Sequence, residues 1–326
     1  MKKLIFFLLI SLVSIAQSNF DKANKLILKN NFAEAAKILE NFTHENENAD
    51  AYLKLGICYK NLMLHTEALK AIERANELDT NNVDILTNLA SLYSTNGFDK
   101  SAIGTYQKVI QLDSTNLFAK INLAKLYVDS GKWNAAKSIY LDLAKYDSRN
   151  SFYYRQLGYV FQKENKLDDA YHYYKTAYAL NPQDHFTISN LAKVYFQKEQ
   201  SDSAIAIIDK GLETFENNTQ FLKLKSDIYF SLKNYPGAVN AIVRLIANGD
   251  ESAQLYQRLG ICYYQIAVEN FVGEAQIQKL GSAIETLNKS SAIDSTQSLT
   301  ELYLGLTYKE LEKMKKQLII CKKQLS

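Results

Sequence analysis

Apolar and small residues recur along this chain at a fixed step of 34 residues. A Leu–Gly or Leu–Ala pair begins the series at Leu55–Gly56 and ends it at Leu259–Gly260, and only Lys225–Ser226 departs from the type. In every unit before the last, an aromatic residue follows after three positions, a small residue nine positions later and a large side chain four beyond that. Spacings of three and four place each set on one helical face. The pattern therefore predicts a helix, a tight turn and a second helix in each unit.

The same step sets the unit boundaries. We place a repeat array over residues 17–297, with units at about 17–48, 49–82, 83–116, 117–150, 151–184, 185–218, 219–252 and 253–297. The eighth unit is irregular, because 20 residues instead of nine separate Tyr263 from its small partner Ala283, which indicates an insertion at about 268–279. Insertions in repeat arrays tend to form loops on one face that can build a contact surface. The alternative is two extra helical turns without a partner.

Residues 298–326 are predicted to form a C-terminal capping helix. The segment carries Leu299, Tyr303, Leu304 and Tyr308 and ends in the lysine-rich sequence EKMKKQLIICKKQLS. A terminal helix with a polar outer face covers the last apolar surface of a repeat array. A basic helix that docks on a partner is the alternative.

The first 16 residues have the organisation of a secretory signal peptide. Lys2 and Lys3 precede an apolar run from Leu4 to Ala16, and Ser14-Ile15-Ala16 is a small-x-small cleavage site. The run of 13 residues is shorter than the roughly 20 that a membrane-spanning helix needs. We therefore expect an exported protein, periplasmic or secreted, with no stable membrane insertion after cleavage. The Asn- and Lys-rich composition favours a bacterial source.

Composition and charge exclude several fold classes and one functional class of protein. The 326 residues include only 2 Pro and 12 Gly, too few for a turn-rich sandwich, propeller or α/β enzyme. Removal of Lys2 and Lys3 lowers the formal net charge from +3 to about +1, which argues against a dedicated nucleic-acid-binding protein. Cys58 and Cys262 occupy equivalent positions in units far apart in the array, so they are expected to be small buried residues without a shared disulfide.

The repeat signature resembles that of the tetratricopeptide repeat family, whose 34-residue unit carries the pattern W-x2-L-G-x2-Y…A-x3-F…P. The fifth unit matches best, at Tyr154, Leu157, Gly158, Phe161, Ala170, Tyr174, Ala177 and Pro182. Other units lack the first ring, as at Leu86, Lys120 and Ile188. The resemblance covers nearly all of the predicted mature chain. It implies an all-α, right-handed superhelical solenoid of about eight helix-turn-helix repeats.

Motifs that carry chemistry are lacking in this sequence. The four His residues lie in different units without a metal-spaced partner, and no nucleophile elbow or phosphate-binding glycine loop occurs. Because almost every residue already belongs to a repeat, no room is left for a catalytic domain. We expect no catalytic residues, no metal site, no cofactor and no enzymatic activity.

The resemblance implies that the first helix of each unit lines a concave groove. The sixth position of four consecutive units is an amide residue, at Asn88, Asn122, Gln156 and Asn190. A primary amide both donates and accepts hydrogen bonds, so stacked amides can hold an extended peptide backbone. The alternative is that recent duplication repeats these residues, since NLASLY, NLAKLY and NLAKVY are close copies.

Aromatic and cationic residues flank the amides. Phe118, Phe152 and Phe186 stand 34 residues apart, next to the cations Lys125, Arg155 and Lys193. Together they suit an extended segment with aromatic or apolar side chains and acidic groups. The alternative is that the three rings pack between units as core.

The sequence therefore predicts a non-catalytic scaffold or adaptor that grips an extended peptide segment of a protein partner in the groove of units three to six. Recognition of a glycan or cell-envelope component by the same groove is the alternative, because amides beside aromatic rings also suit sugars. A third hypothesis is an enzyme whose active site lies in the groove. No signal in the sequence points to a particular partner or oligomeric state.

Overall fold

The computed structural model describes residues 18–325, with side chains described as far as residue 319. The predicted signal peptide, residues 1–16, lies outside this range. Every regular element in the described range is helical, and the predicted all-α repeat array is confirmed. The helices are α1 (18–28), α2 (Phe32–Glu45), α3 (Ala49–Asn61), α4 (His65–Leu78), α5 (Val83–Thr95), α6 (Asp99–Leu112), α7 (Leu117–Asp129), α8 (Trp133–Tyr146), α9 (Ser151–Lys163), α10 (Leu167–Leu180), α11 (His185–Gln197), α12 (Ser201–Thr214), α13 (Thr219–Ser231), α14 (Tyr235–Ala247), α15 (Ala253–Asn270), α16 (Gly273–Ile293) and α17 (Ser298–Leu325).

The described chain divides into two compact parts, one up to residue 148 and one from residue 149. The described N-terminal half contains α1–α8 and the C-terminal half contains α9–α17. From α3 to α16, each odd-numbered helix packs against the even-numbered helix that follows it, and within each half that second helix packs against the first helix of the next unit. We call the odd-numbered helices first helices and the even-numbered ones second helices.

The core of each unit is the contact between a small residue of one helix and a large side chain of the other. The small residue of the second helix is fully buried in six units, at Ala68, Ala102, Ala136, Ala170, Ala204 and Ala238. The large residue four positions later is also buried, at Ile72, Tyr106, Tyr140, Tyr174, Ile208 and Ile242. At Gly158, a side-chain Cβ would lie 2.7 Å from the Tyr174 ring. Glycine therefore lets α9 and α10 approach closely.

The first helices begin at a capping residue that also recurs every 34 residues. Asn48, Asn82, Asn116, Asn150, Asp184 and Asn218 each accept a hydrogen bond from a backbone N–H in the first turn of the following helix. Such caps satisfy donors that have no partner within the helix. In the sequence, the series is visible as Asn or Asp at the last position of the first six units.

The inserted segment at 268–279 lengthens two helices. α15 and α16 have 18 and 21 residues, and only Phe271 and Val272 lie between them. The extra turns pack on each other, with Nζ of Lys279 lying 5.1 Å from the ring centroid of Tyr263. The structure therefore shows the second alternative, extra helical turns. The partner of the extra turns of α15 is the extra turns of α16.

We predict that two helical glycines, one at a close helix contact and one in open space, respond oppositely to enlargement. Gly158→Leu forces the Tyr174 ring to move, and overpacking of this kind costs about 1–3 kcal/mol. Gly104, in α6, has no neighbouring atom within 4 Å of an added Cβ, so Gly104→Leu should leave stability unchanged or raise it by up to about 1 kcal/mol through helix propensity. Urea unfolding followed by circular dichroism measures both. Equal midpoints for the two variants would contradict the close contact.

Candidate functional site

The ten residues predicted to line a groove all lie on first helices. Asn88 is in α5, and Phe118, Asn122 and Lys125 are in α7, both in the N-terminal half. The other six are in the C-terminal half, on α9 and α11: Phe152, Arg155, Gln156, Phe186, Asn190 and Lys193. The two sets are described separately.

In the N-terminal half, the amides bond to their own helices. Nδ2 of Asn88 donates to the carbonyl oxygen of Asp84 at 2.9 Å, and Nδ2 of Asn122 donates to that of Phe118 at 2.8 Å. Each amide thus uses a donor within its own helix and keeps its Oδ1 oxygen as an acceptor. These two amides are less suited to holding both groups of a peptide bond.

The flanking residues of this half are exposed. Lys125 is exposed, and about half of the Phe118 side chain is in contact with solvent. The inner edge of the Phe118 ring meets Tyr106, with 6.4 Å between the ring centroids. Burial raises the pKa of Tyr106 to about 12, although a hydrogen bond with Ser91 acts in the opposite direction. Phe118 is therefore a surface residue that rests on a buried tyrosine.

In the C-terminal half, the two amides have a different setting. Gln156 and Asn190 are half-buried on α9 and α11, which contact each other directly. Among the described residues, neither side chain has a hydrogen-bond partner. Lys193, one turn after Asn190, is exposed. Both donors and acceptors of these two amides are thus available to a ligand.

Arg155 is enclosed by the two phenylalanine rings of this half. Its guanidinium carbon lies 5.4 Å from the ring centroid of Phe152 and 5.1 Å from that of Phe186. Its Nε lies 3.3 Å from Oδ2 of Asp184, near enough for an ion pair but not aligned for a hydrogen bond. The side chains of Arg155 and Asp184 are only 18% and 15% exposed. The group therefore ties α9 to the start of α11.

Asp184 was not among the predicted site residues, yet it organises this cluster. It caps α11 through the backbone N–H of Phe186 and accepts a 2.6 Å hydrogen bond from the hydroxyl of Thr187. The signal that could have found it is its place in the series of capping residues, where it is the single acidic member. The carboxylate lies beside the arginine of the preceding unit because the repeat places position 34 of one unit near the start of the next.

Further polar contacts join the first helices in register. Nε2 of Gln162 in α9 donates to Oε1 of Gln197 in α11 at 2.8 Å, and Arg258 in α15 pairs with Asp227 in α13. Sequence analysis missed these pairs because each combines different positions of two units. They keep neighbouring first helices side by side, so the surface that carries Gln156 and Asn190 is continuous from α9 to α11.

Two clefts lie outside the predicted residues. One, of about 610 Å3, is formed by α6, α7 and α8 in the N-terminal half and includes Gln107, Tyr127 and Asp142. The other, of about 230 Å3, lies between α13 and α15 and includes two ion pairs and Ser226, whose buried Oγ has no hydrogen-bond partner among the described residues. Ser226 is the position at which the seventh unit departs from the Leu–Gly type.

The structure provides few groups suited to nucleophilic or metal chemistry. Burial raises the pKa of the Cys58 thiol to about 11 and that of Cys262 to about 12, so both thiols are protonated near neutral pH. In residues 18–319, no group of three or more His, Cys, Asp or Glu side chains is placed to hold a metal ion. No helix in the described part of the chain is long and apolar enough to cross a membrane.

Comparison with models of protein families shows to which family this chain belongs. Two models, both described as tetratricopeptide repeat, match this sequence: one at residues 20–83 and 121–185, the other at residues 161–228. Together they cover more than half of the chain. The chain belongs to the tetratricopeptide repeat family. Proteins of this family are typically non-catalytic scaffolds that bind protein partners.

Solved structures show the same fold. A tetratricopeptide repeat protein from Parabacteroides merdae is 16% identical, with 80% of this chain and 98% of that chain covered and a TM-score of 0.58. PilF of Pseudomonas aeruginosa is 20% identical, with 64% and 94% covered and a TM-score of 0.52. YrrB, described as having an unusual peptide-binding site, is 19% identical, with 58% and 98% covered and a TM-score of 0.51. No curated protein matches the chain. At these identities the likeness concerns the fold alone.

We predict that Arg155 stabilises the tetratricopeptide repeat array itself. Arg155→Met keeps most of the aliphatic stem but removes the charge between the two rings and beside Asp184, so the free energy of unfolding should fall by about 1–3 kcal/mol. Lys193→Met, at an exposed position of the next unit, should change it by less than about 0.5 kcal/mol. Urea unfolding compares the two variants. A stability loss as large for Lys193→Met would contradict the assignment.

Proposed function

We propose that this protein is a non-catalytic adaptor that binds an extended peptide segment of a protein partner on the face of α9 and α11. The observation that carries the proposal is the pair of half-buried amides, Gln156 and Asn190, which have no hydrogen-bond partner among the described residues. A buried polar group gains most from a ligand that satisfies it. A peptide backbone supplies both an N–H and a C=O at each residue, which matches the two kinds of group on each amide.

The surroundings of the amides favour acidic or polar peptide side chains. Lys193 is an exposed cation beside Asn190, whereas the charge of Arg155 is offset by Asp184. Attraction to an exposed lysine is screened by salt, so it contributes more to the rate of association than to affinity. The rings of Phe152 and Phe186 both contact Arg155, and Phe186 is also 49% exposed, but no contact in the groove specifically favours the glycan alternative.

The family supports binding as the role of the protein. Tetratricopeptide repeat folds mediate protein–protein interactions, and the structure of YrrB is described as containing a peptide-binding site. That site belongs to YrrB. For the present chain, the YrrB site indicates that this fold can bind a peptide.

A matched pair of double variants tests the site. Extended peptides are selected from a random peptide library on the wild-type chain, and their affinity is measured by fluorescence anisotropy. Gln156→Ala with Asn190→Ala removes the available amides and should weaken binding at least about tenfold, because each lost hydrogen bond contributes about 1 kcal/mol. Asn88→Ala with Asn122→Ala is the control, since those amides already donate within their own helices.

The control should bind within about twofold of wild type. Circular dichroism should show unchanged helicity in both double variants, because none of the four amides makes a hydrogen bond to another helix. Equal affinity of wild type and Gln156→Ala/Asn190→Ala would contradict the proposal, and so would a larger loss in the control.

We also propose that residues 1–16 direct export and that the source is bacterial. Expression of the full chain in a bacterial host should yield a periplasmic or secreted protein whose first residue is Gln17, as read by mass spectrometry. Leu9→Arg interrupts the apolar run and should leave an uncleaved precursor in the cytoplasm. An intact N-terminus in the exported wild-type protein would contradict cleavage after Ala16.

A further inference from the structure

The last helix carries the signature of a first helix. In α17, the Leu–Gly pair Leu304–Gly305 is followed three positions later by Tyr308, the same spacing as in the Leu55–Gly56 unit. The pair lies 45 residues after Leu259–Gly260, which is 34 plus the insertion of about 11, so the register of the array continues into this helix. α17 continues without a break to Leu325, whereas the first helices of α3 to α13 end after 13 residues. The residues that would form the turn and most of a second helix in the ninth unit therefore extend its first helix instead.

The place where the second helix would pack is open. At the equivalent glycines, an added Cβ would collide with a large side chain of the second helix, namely Ile72 at Gly56, Tyr174 at Gly158 and Leu287 at Gly260. At Gly305, no atom of another helix lies within 4 Å of that position in the described structure. Tyr308 is 52% exposed, whereas the tyrosines and phenylalanine at the equivalent position of the seven earlier units are half-buried.

Apolar residues extend this open area along α17. Leu302 is 56% exposed, and Leu306 is also classed as exposed. We call the surface formed by Leu302, Gly305, Leu306 and Tyr308 the α17 open face. Gly305 and Tyr308 stand at the positions that contact the second helix in the preceding units, whereas Leu302 and Leu306 stand at the positions of Arg155 and Lys193 and adjoin that contact on the groove side.

The opposite side of α17 is held firmly. Thr300 accepts a 2.8 Å hydrogen bond from Nε2 of Gln257 in α15, and its Oγ1 lies 3.2 Å from Oγ of Ser290 in α16. The rings of Tyr264 and Tyr303 meet edge to face at 5.6 Å. Since these contacts fix the rotation of α17 about its axis, the open face points away from α15 and α16.

The other units show what kind of helix fits. Each second helix that covers a glycine brings an alanine and, four residues later, a large apolar or aromatic residue, as in Ala170 and Tyr174. The backbone also comes close, because the carbonyl oxygen of Ala283 lies 3.3 Å from the Cβ position at Gly260. A bulky residue in place of the alanine would prevent that approach.

The lysines of α17 set a second requirement for a helix that binds to the open face. The exposed cations of α17 follow the open face, at Lys309, Lys313, Lys315 and Lys316. Lys313 and Lys316 pair with Glu310 and Glu312, while no described carboxylate pairs with Lys309 or Lys315. A second helix runs antiparallel to the first, so its first turn would lie beside these lysines. An acidic first turn, such as that of α10 with Asp168 and Asp169, is complementary to them.

We infer that α17 carries the first helix of a ninth unit and that its open face binds an amphipathic helix of a partner protein, with an acidic first turn, an alanine and a large apolar residue four positions later. This site is separate from the peptide site proposed on α9 and α11. It binds a helix and not an extended chain.

The probe is a synthetic peptide with the sequence of α10, residues 167–180, carrying a fluorophore, and the receptor is the full chain without its signal peptide. A helix this short is only marginally stable alone, so helicity should rise on binding. Gly305→Leu fills the open face and should weaken binding at least about tenfold. Gly104→Leu is the matched control, because that glycine is equally open and helical but lies on α6.

A second comparison uses the peptide. Replacement of the residue equivalent to Tyr174 by alanine removes the side chain that would cover Gly305 and should also weaken binding at least about tenfold. Binding should fall as salt is added, because the lysines of α17 face the acidic turn of the peptide. The circular dichroism of both protein variants should match that of wild type, and their melting temperatures should equal or slightly exceed it, since neither glycine has a neighbour to displace and leucine has the higher helix propensity.

Three outcomes would overturn the inference. One is equal peptide affinity of Gly305→Leu and wild type, and another is the lack of saturable binding at roughly 1 mM peptide. The third is a wild-type dimer in sedimentation that Gly305→Leu converts to a monomer, because the open face would then belong to a second copy of this chain. None of these outcomes depends on the peptide site of α9 and α11, whose double variant is measured independently.

Discussion

The close contact between the two helices of a unit is the constraint on which the rest of this structure depends. Where the first helix has glycine, as at Gly56, Gly158 and Gly260, the side chains of Ile72, Tyr174 and Leu287 occupy the space that a Cβ would need. Interiors this dense tolerate little change in volume. The contact fixes how far apart and at what rotation the two helices lie. It thereby decides which side chains of the first helix are buried and which are presented to a ligand.

Equivalent positions nevertheless acquire different roles, because neighbouring units supply different partners. Arg155 and Lys193 both flank the amides of the predicted groove, yet Arg155 is enclosed by two rings and Asp184 while Lys193 is exposed. Asn88 and Asn122 donate within their own helices, and Gln156 and Asn190 do not. A repeat in sequence thus gives a repeat in backbone, but the chemistry presented on the surface changes from one unit to the next. Binding at one unit of the array does not imply binding at all of them.

Helix α17 shows the result where this close contact between two helices is not made. A capping helix was predicted for residues 298–326, and α17 does cover the last pair of helices through Thr300 and Tyr303. Its outer side is not the polar surface that a pure cap would present, since Leu302, Leu306 and Tyr308 are exposed beside an uncovered Gly305. The alternative of a docking helix, raised by the lysine-rich end of the sequence, therefore has a structural basis in an apolar surface as well as in charge.

The helices and their buried core could be predicted from the amino-acid sequence alone, because both follow from local spacing. The step of 34 residues located the helix pairs, and the buried alanines and tyrosines are those that the pattern selected. Which surface residues are available to a ligand depends on the folded structure, since hydrogen bonds and ion pairs such as Arg155 with Asp184 join residues of different units at unlike positions. The insertion at 268–279 was equally undecided from spacing, because extra residues can extend a loop or two helices. Packing of Lys279 on Tyr263 accompanies the second arrangement.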